Sequence, residues 1–147
     1  MEMLDIINNC ANEVWRLMGV GDYEEKHYQK LLNIFLNEHE IPTQLEYNIP
    51  INVVSPYSKR THQIQNCRVD IYVDSDNPII IELKREAKLT ELHEEQVKKY
   101  LLNTNCKTGI LINFPKKTTQ SVEFQVINKE QTEETEQIEQ IEQTEQT

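Results

Sequence analysis

Between positions 68 and 84 the chain reads Arg68-Val69-Asp70-Ile71-Tyr72-Val73, then Asp74-Ser75-Asp76-Asn77-Pro78, then Ile79-Ile80-Ile81-Glu82-Leu83-Lys84. No other stretch restricts the fold as strongly. A cluster of turn formers between two β-branched runs predicts an antiparallel hairpin. With Asp74 facing Pro78, Ile71 lies across from Ile81 and Asp70 across from Glu82. Directly opposed Cβ atoms stand about 4.5–5.5 Å apart. Two carboxylates so placed can share one divalent cation at its oxygen-ligand distance.

Alternation supports that register. One face collects Val69, Ile71, Val73, Ile79, Ile81 and Leu83, all apolar, and a slip of one residue would mix the two faces. The other face collects Arg68, Asp70, Tyr72, Ile80, Glu82 and Lys84. Like charges opposed across a hairpin destabilise it, so Lys84, Arg68 or a metal ion must compensate. Taken alone, the same face reads equally well as solvated hairpin surface, because exposed ion pairs are common and weak.

The flanking chain supplies the rest of a fold. Leu4, Ile7, Ala11, Val14 and Met18 recur at helical spacing over 3–18, and Gly19-Val20-Gly21 ends that helix. Asp22 is the expected N-cap of a second helix reaching about position 37. Strands are expected at 44–54, 63–73, 79–84, 106–114 and 121–127, with a helix over 89–103 capped by Thr90. The order α-α-β-β-β-α-β-β predicts an α/β sandwich with a mixed central sheet flanked by helices. Leu89, His93, Gln96 and Tyr100 form one stripe of the third helix, and Tyr28, Leu32, Phe35 and Leu36 one side of the second. Glu25 lies at the edge of that side. Both helices are expected to cover the carboxylate face, and each polar residue on them also reads as a boundary side chain.

The end of the chain differs. From Lys129 to Thr147 it is a degenerate Glu, Gln and Thr repeat whose large apolar residues are Ile138 and Ile141. Such a segment cannot bury enough surface to offset ordering entropy, so 129–147 is expected to be a disordered acidic tail after a single domain at 1–128. Seven glutamates and one lysine place −6 of the formal −10 charge there, leaving a mildly acidic body. A mildly acidic body neither argues for a nucleic-acid partner nor excludes one, since a local basic rim matters more than the total. Cys10, Cys67 and Cys106 are odd in number and far apart, matching neither a metal pair nor a disulfide framework. With no apolar run near the roughly 20 residues that cross a bilayer and no secretory n-region, an intracellular, cytoplasmic or nuclear, setting is expected.

An aspartate, a Glu-x-Lys closing an apolar strand and a Gln-x-x-x-Tyr on the next helix resemble the PD-(D/E)xK nuclease superfamily. Here these are Asp70, Glu82-Leu83-Lys84 and Gln96 with Tyr100. More narrowly the chain resembles the small GxxExxY proteins. The matching pieces are Glu13-Val14-Trp15-Arg16 before Gly19-x-Gly21, Glu25-x-x-Tyr28-Gln29-Lys30-x-Leu32, the strand Ile79–Lys84, then Leu89, His93, Gln96, Tyr100-Leu101 and 109–114. The Gly-x-x-Glu-x-x-Tyr spacing is stretched by one, which leaves Glu24 beside Glu25 as the helix carboxylate. Arg68-Val69 stands where the superfamily's name places a proline. The resemblance implies a restriction-endonuclease-like fold and Mg²⁺- or Mn²⁺-dependent phosphodiester hydrolysis of nucleic acid, DNA above RNA. It implies Asp70 and Glu82 as metal ligands, with a backbone carbonyl near Leu83, and Glu25 touching the metal waters or a second ion. Lys84 would act on the attacking water, with Gln96 steadying the shell and Tyr100 packed beside it. Lys88, Lys98, Lys99, Lys116 and Lys117 are candidates for phosphate contacts, each also readable as solvated surface. A silent nucleic-acid or protein-binding module that keeps the fold is the alternative.

Overall fold

The computed structural model describes residues 2–129. Helix α1 (Met3–Met18) buries Ile7, Cys10, Ala11 and Val14 along one stripe. It stops at Gly19, whose φ of 59° is open to glycine at little cost. Helix α2 (Glu25–Glu38) begins later than Asp22 would have it. Its N-cap is Glu24, whose N–H donates to His27 Nδ1 at 2.9 Å in a reciprocal capping box. Asp22 is exposed, outside the helix.

Five strands follow in spatial order: β1 (Thr43–Val54), β2 (Thr61–Val73), β3 (Ile79–Lys84), β4 (Thr108–Asn113) and β5 (Glu123–Asn128). Neighbours are antiparallel except β3 and β4, which helix α3 (Glu91–Leu102) joins as a parallel crossover. The sheet is therefore mixed. Ile71 opposes Ile81, Tyr72 opposes Ile80 and Val73 opposes Ile79, the register that alternation requires. Thr90 caps α3, as its position before the periodic run predicts.

A crossover helix must lie on one face of its sheet, so the other face is left for α1 and α2. Strand β3 is consequently buried on both sides. Ile71, Val73, Ile79, Ile81 and Leu83 pack with α1 and α2 in one core layer. Ile80 joins Val97, Tyr100 and Leu101 of α3 in the other. Each fully buried aliphatic side chain there contributes about 1.5–3 kcal/mol. The expectation that α2 and α3 share one face is thus corrected: they sandwich the sheet. Gly109 lets α3 approach, since a Cβ there would stand 2.6 Å from Val97 Cγ1.

A second correction concerns Val69. It lies with Ile49, Ile51 and Cys67 under α3, in the layer opposite Ile71. Leu45 opposes Ile71 and Tyr47 opposes Val69, but no rung joins Glu46 to Asp70. Glu46 takes a φ of 52°, so the ribbon changes face at that rung. Arg68 is turned out to solvent, opposite Asn48.

Cys10, Cys67 and Cys106 are free and buried, and burial pushes the Cys10 and Cys106 thiols above their ordinary pKa. No described helix is long and apolar enough to cross a membrane. Lys129, which composition assigns to the tail, continues the β4–β5 edge: its N–H donates to Lys107 O at 2.9 Å and its Nζ to Thr104 O at 2.7 Å. The rest of the expected tail lies outside the described residues.

Candidate metal and active site

The β2–β3 ladder runs from Val73/Ile79 to Ile71/Ile81 and then opens. Beyond it, two carboxylates take over the work of backbone bonds. Leu83 N–H donates to Asp70 Oδ2 at 2.7 Å, and Asp70 N–H donates to Glu82 Oε1 at 3.3 Å. The carbonyl of Asp70 accepts from Gln29 Nε2 at 2.8 Å, and that amide also donates to Glu46 Oε1 at 3.1 Å. Both backbone polar groups of Asp70, withdrawn from the ladder, therefore find a side chain.

This exchange brings acids together in a poorly solvated place. Glu82 is 5 % exposed. Burial raises its pKa well above the carboxylate range, and a hydrogen bond to Asp70 and that residue's charge add to the rise, against the pull of Lys84. Glu25 brings its charge into the same neighbourhood from α2. Burial first, then the charge of Asp70, lifts it to about 7, while Lys84 lowers it. Glu24 instead pairs with Lys26 at 3.0 Å on the surface. Tyr100 comes from the α3 side; burial and the nearby Glu82 push its phenol up. Gln96 Nε2 donates to Tyr100 Oη at 2.8 Å. Lys84, half-buried at the end of β3, makes no ion pair among the described residues.

Does a divalent cation fit? Among the described residues, no three His, Cys, Asp or Glu side chains group closely enough to cage one unaided. The donor set is the Asp70–Glu82 pair, with Glu25 beyond it. Mg²⁺ is commonly held by one or two carboxylates, keeping its other positions for waters and phosphate oxygens. Burial, and then the adjacent Asp70, raise the Glu82 pKa, and a cation between the two carboxylates would oppose both effects. The residues fit such an ion.

Three contributors gave little sign in sequence. Gln29 is four residues after Glu25, so helical spacing places both on one face; that was the available signal. Arg85 is a brace: its guanidinium donates to Val20 O at 2.9 Å, to Phe114 O at 3.1 Å and to Pro115 O, and lies over the Tyr28 ring. Asn113, fully buried, exchanges two bonds with the Glu86 backbone and donates to Glu123 Oε2, which also accepts from Leu89 N–H. Together they seat the β3–α3 connection beside the site. Of the five lysines, Lys98 pairs with Glu95 at 3.3 Å and Lys99 donates to Gln65 Oε1. Lys88, Lys116 and Lys117 are exposed near a shallow recess lined by Pro115 and Ser121.

A family model described as the PD-(D/E)XK nuclease superfamily matches residues 1–127. No curated protein matches the sequence. Among solved structures, that of SSO0001 is similar with a TM-score of 0.50 at 15 % identity, over 83 % of this chain and 65 % of that one. The chain thus spans less than two thirds of that protein, and at this identity the likeness concerns the fold.

Proposed function

The chain belongs to the PD-(D/E)XK nuclease superfamily, and on that premise we propose that it hydrolyses phosphodiester bonds of DNA with Mg²⁺ or Mn²⁺. Within the superfamily, the motif pieces support placing it with the GxxExxY proteins. One observation carries the reading. Asp70 and Glu82 interlock where β2 and β3 part, one of them buried and reluctant to ionise, with Lys84, which makes no ion pair among the described residues, two positions along the strand.

In this reading Asp70 and Glu82 would hold the ion, and Glu25 would touch its waters or a second ion. When bound, the ion supplies positive charge against the scissile phosphate and acidifies a water. Lys84 would orient or deprotonate the attacking water and would offset charge developing on the phosphate. Gln96 holds the Tyr100 hydroxyl, and Tyr100 lies near enough to Glu82 to feel its charge. Gln29 fixes the Asp70 backbone and so aims its carboxylate. Three free buried cysteines support a reducing, intracellular setting.

The test is cleavage of single- and double-stranded DNA and RNA with Mg²⁺, with Mn²⁺ and with a chelator, beside Lys84→Ala. Metal-dependent cleavage lost in Lys84→Ala is the expected outcome. Metal-independent cleavage, or cleavage kept by that variant, would overturn the assignment. Nucleic-acid binding without any cleavage would leave the silent binding module as the better reading.

A further inference from the structure

We infer that the β1–β2 ribbon is a DNA-binding arm that lays a duplex across the Asp70–Glu82 site. The inference rests on the nuclease reading only for what the arm serves. Past Ile71, β2 has no third strand beside it, and residues 47–69 form a two-stranded ribbon. From Asp70 to Thr61 it reaches roughly 30 Å at about 3.3 Å per residue. Its root leans on α3 through Ile49, Ile51 and Val69, while the outer part is open: Val54 is 59 %, Ile64 65 % and Tyr57 96 % exposed.

Charge identifies the occupant. In a chain of net charge −10, positions 47–69 contain no Asp or Glu but carry Lys59, Arg60 and Arg68, with His62. All four are exposed, and none makes an ion pair among the described residues. The tip is built to present them. Ser55 Oγ accepts the N–H groups of Tyr57 and Ser58 at 3.1 and 3.2 Å, and Ser55 N–H donates to Arg60 O at 2.9 Å. The polar face nearest the site offers Asn48 and Asn66 beside Arg68, and amides and guanidinium groups are the side chains that read base edges. A two-stranded ribbon fits the major groove of B-form DNA. The corresponding groove of A-form RNA is too narrow for it. Charge therefore selects a polyanion, and groove shape selects duplex DNA among such partners.

The experiment is equilibrium binding of a labelled DNA duplex and an RNA duplex of matching sequence to the full chain, with Ca²⁺ replacing Mg²⁺ to withhold turnover. Lys59→Ala/Arg60→Ala should weaken DNA binding and lower the slope of log K against log salt by about 2, one for each phosphate no longer neutralised. Lys107→Ala, which removes a charge at the far end of β4, should leave that slope in place. An unchanged slope in the double variant, or equal weakening for both duplexes, would overturn the arm. Failure of the nuclease reading looks different: wild type would then bind the duplex but never cleave it when Mg²⁺ is restored.

Discussion

At the scale of single residues, burial and mutual proximity raise the pKa of the carboxyl groups at the site. Glu82 and Glu25 both have folded pKa values above their ordinary 4.5. A raised acid contributes stability that is fully present below about pH 4.5 and lost as pH rises through the folded value. For Glu25 that window runs from about 4.5 to about 7. The metal-free protein should therefore lose thermal stability across it, and Glu25→Gln should flatten that part of the profile; a Glu25→Gln profile as steep as wild type would refute the shift. Asp70→Asn removes the charge that helps raise Glu82 and Glu25, so the metal-free variant should melt at or above the wild-type midpoint. It should nonetheless lose most of the stabilisation that Mn²⁺ confers, which for wild type grows to about 2.7 kcal/mol at a hundredfold excess over Kd. Lys84→Ala should keep that stabilisation and lose turnover. Calorimetric titration with Mn²⁺ separates the two, and equal binding by wild type and Asp70→Asn would exclude Asp70 as a ligand.

At the scale of elements, the opening between β2 and β3 is held by a helix rather than by the sheet. Gln29 of α2 satisfies the Asp70 carbonyl, so Gln29→Ala should cost about 1–3 kcal/mol for a buried acceptor left unpaired. It should also weaken metal binding, a loss that a purely structural role would not produce; unaltered Mn²⁺ affinity would show that Gln29 does not aim Asp70. On the other face, α3 sits on β4 through Gly109. Val97 is fully buried and has nowhere to move, so Gly109→Ala should destabilise by about 1–3 kcal/mol through overpacking. A urea midpoint equal to wild type would show that α3 can shift outward. The brace at Arg85 and the clamp at Asn113 explain why the connection after β3 is ordered without regular structure.

At the scale of the whole molecule, the body is one α/β sandwich and the acidic repeat is an appendage in composition. Truncation after Lys129 should leave the thermal midpoint of the body almost unchanged, since the chain is anchored there by the hydrogen bonds of Lys129 itself; a large drop would show that the repeat packs. Much of this architecture was legible beforehand because it depends on short-range periodicity. The period of two in 68–84 specified the Ile71/Ile81 register, the Thr90 cap sat before its helical run, and the element order implied a mixed sheet flanked by helices. What tertiary structure alone decided lies where the period fails. Alternation carried Val69 onto the face of Ile71, yet it lies in the other core layer, beyond the rung at Glu46 and Asp70 where the β1–β2 pairing is interrupted. Ile80 and Tyr72, on the face that carries the carboxylates, agreed with the helix cover expected there. Which helix covers which face is set by long-range packing, and Gln29, rather than a strand partner, completes Asp70 from 41 positions away in sequence. Local pattern records the preference of each residue for one side of a strand. It holds no record of where two distant elements meet, because that is decided by the burial of both at once.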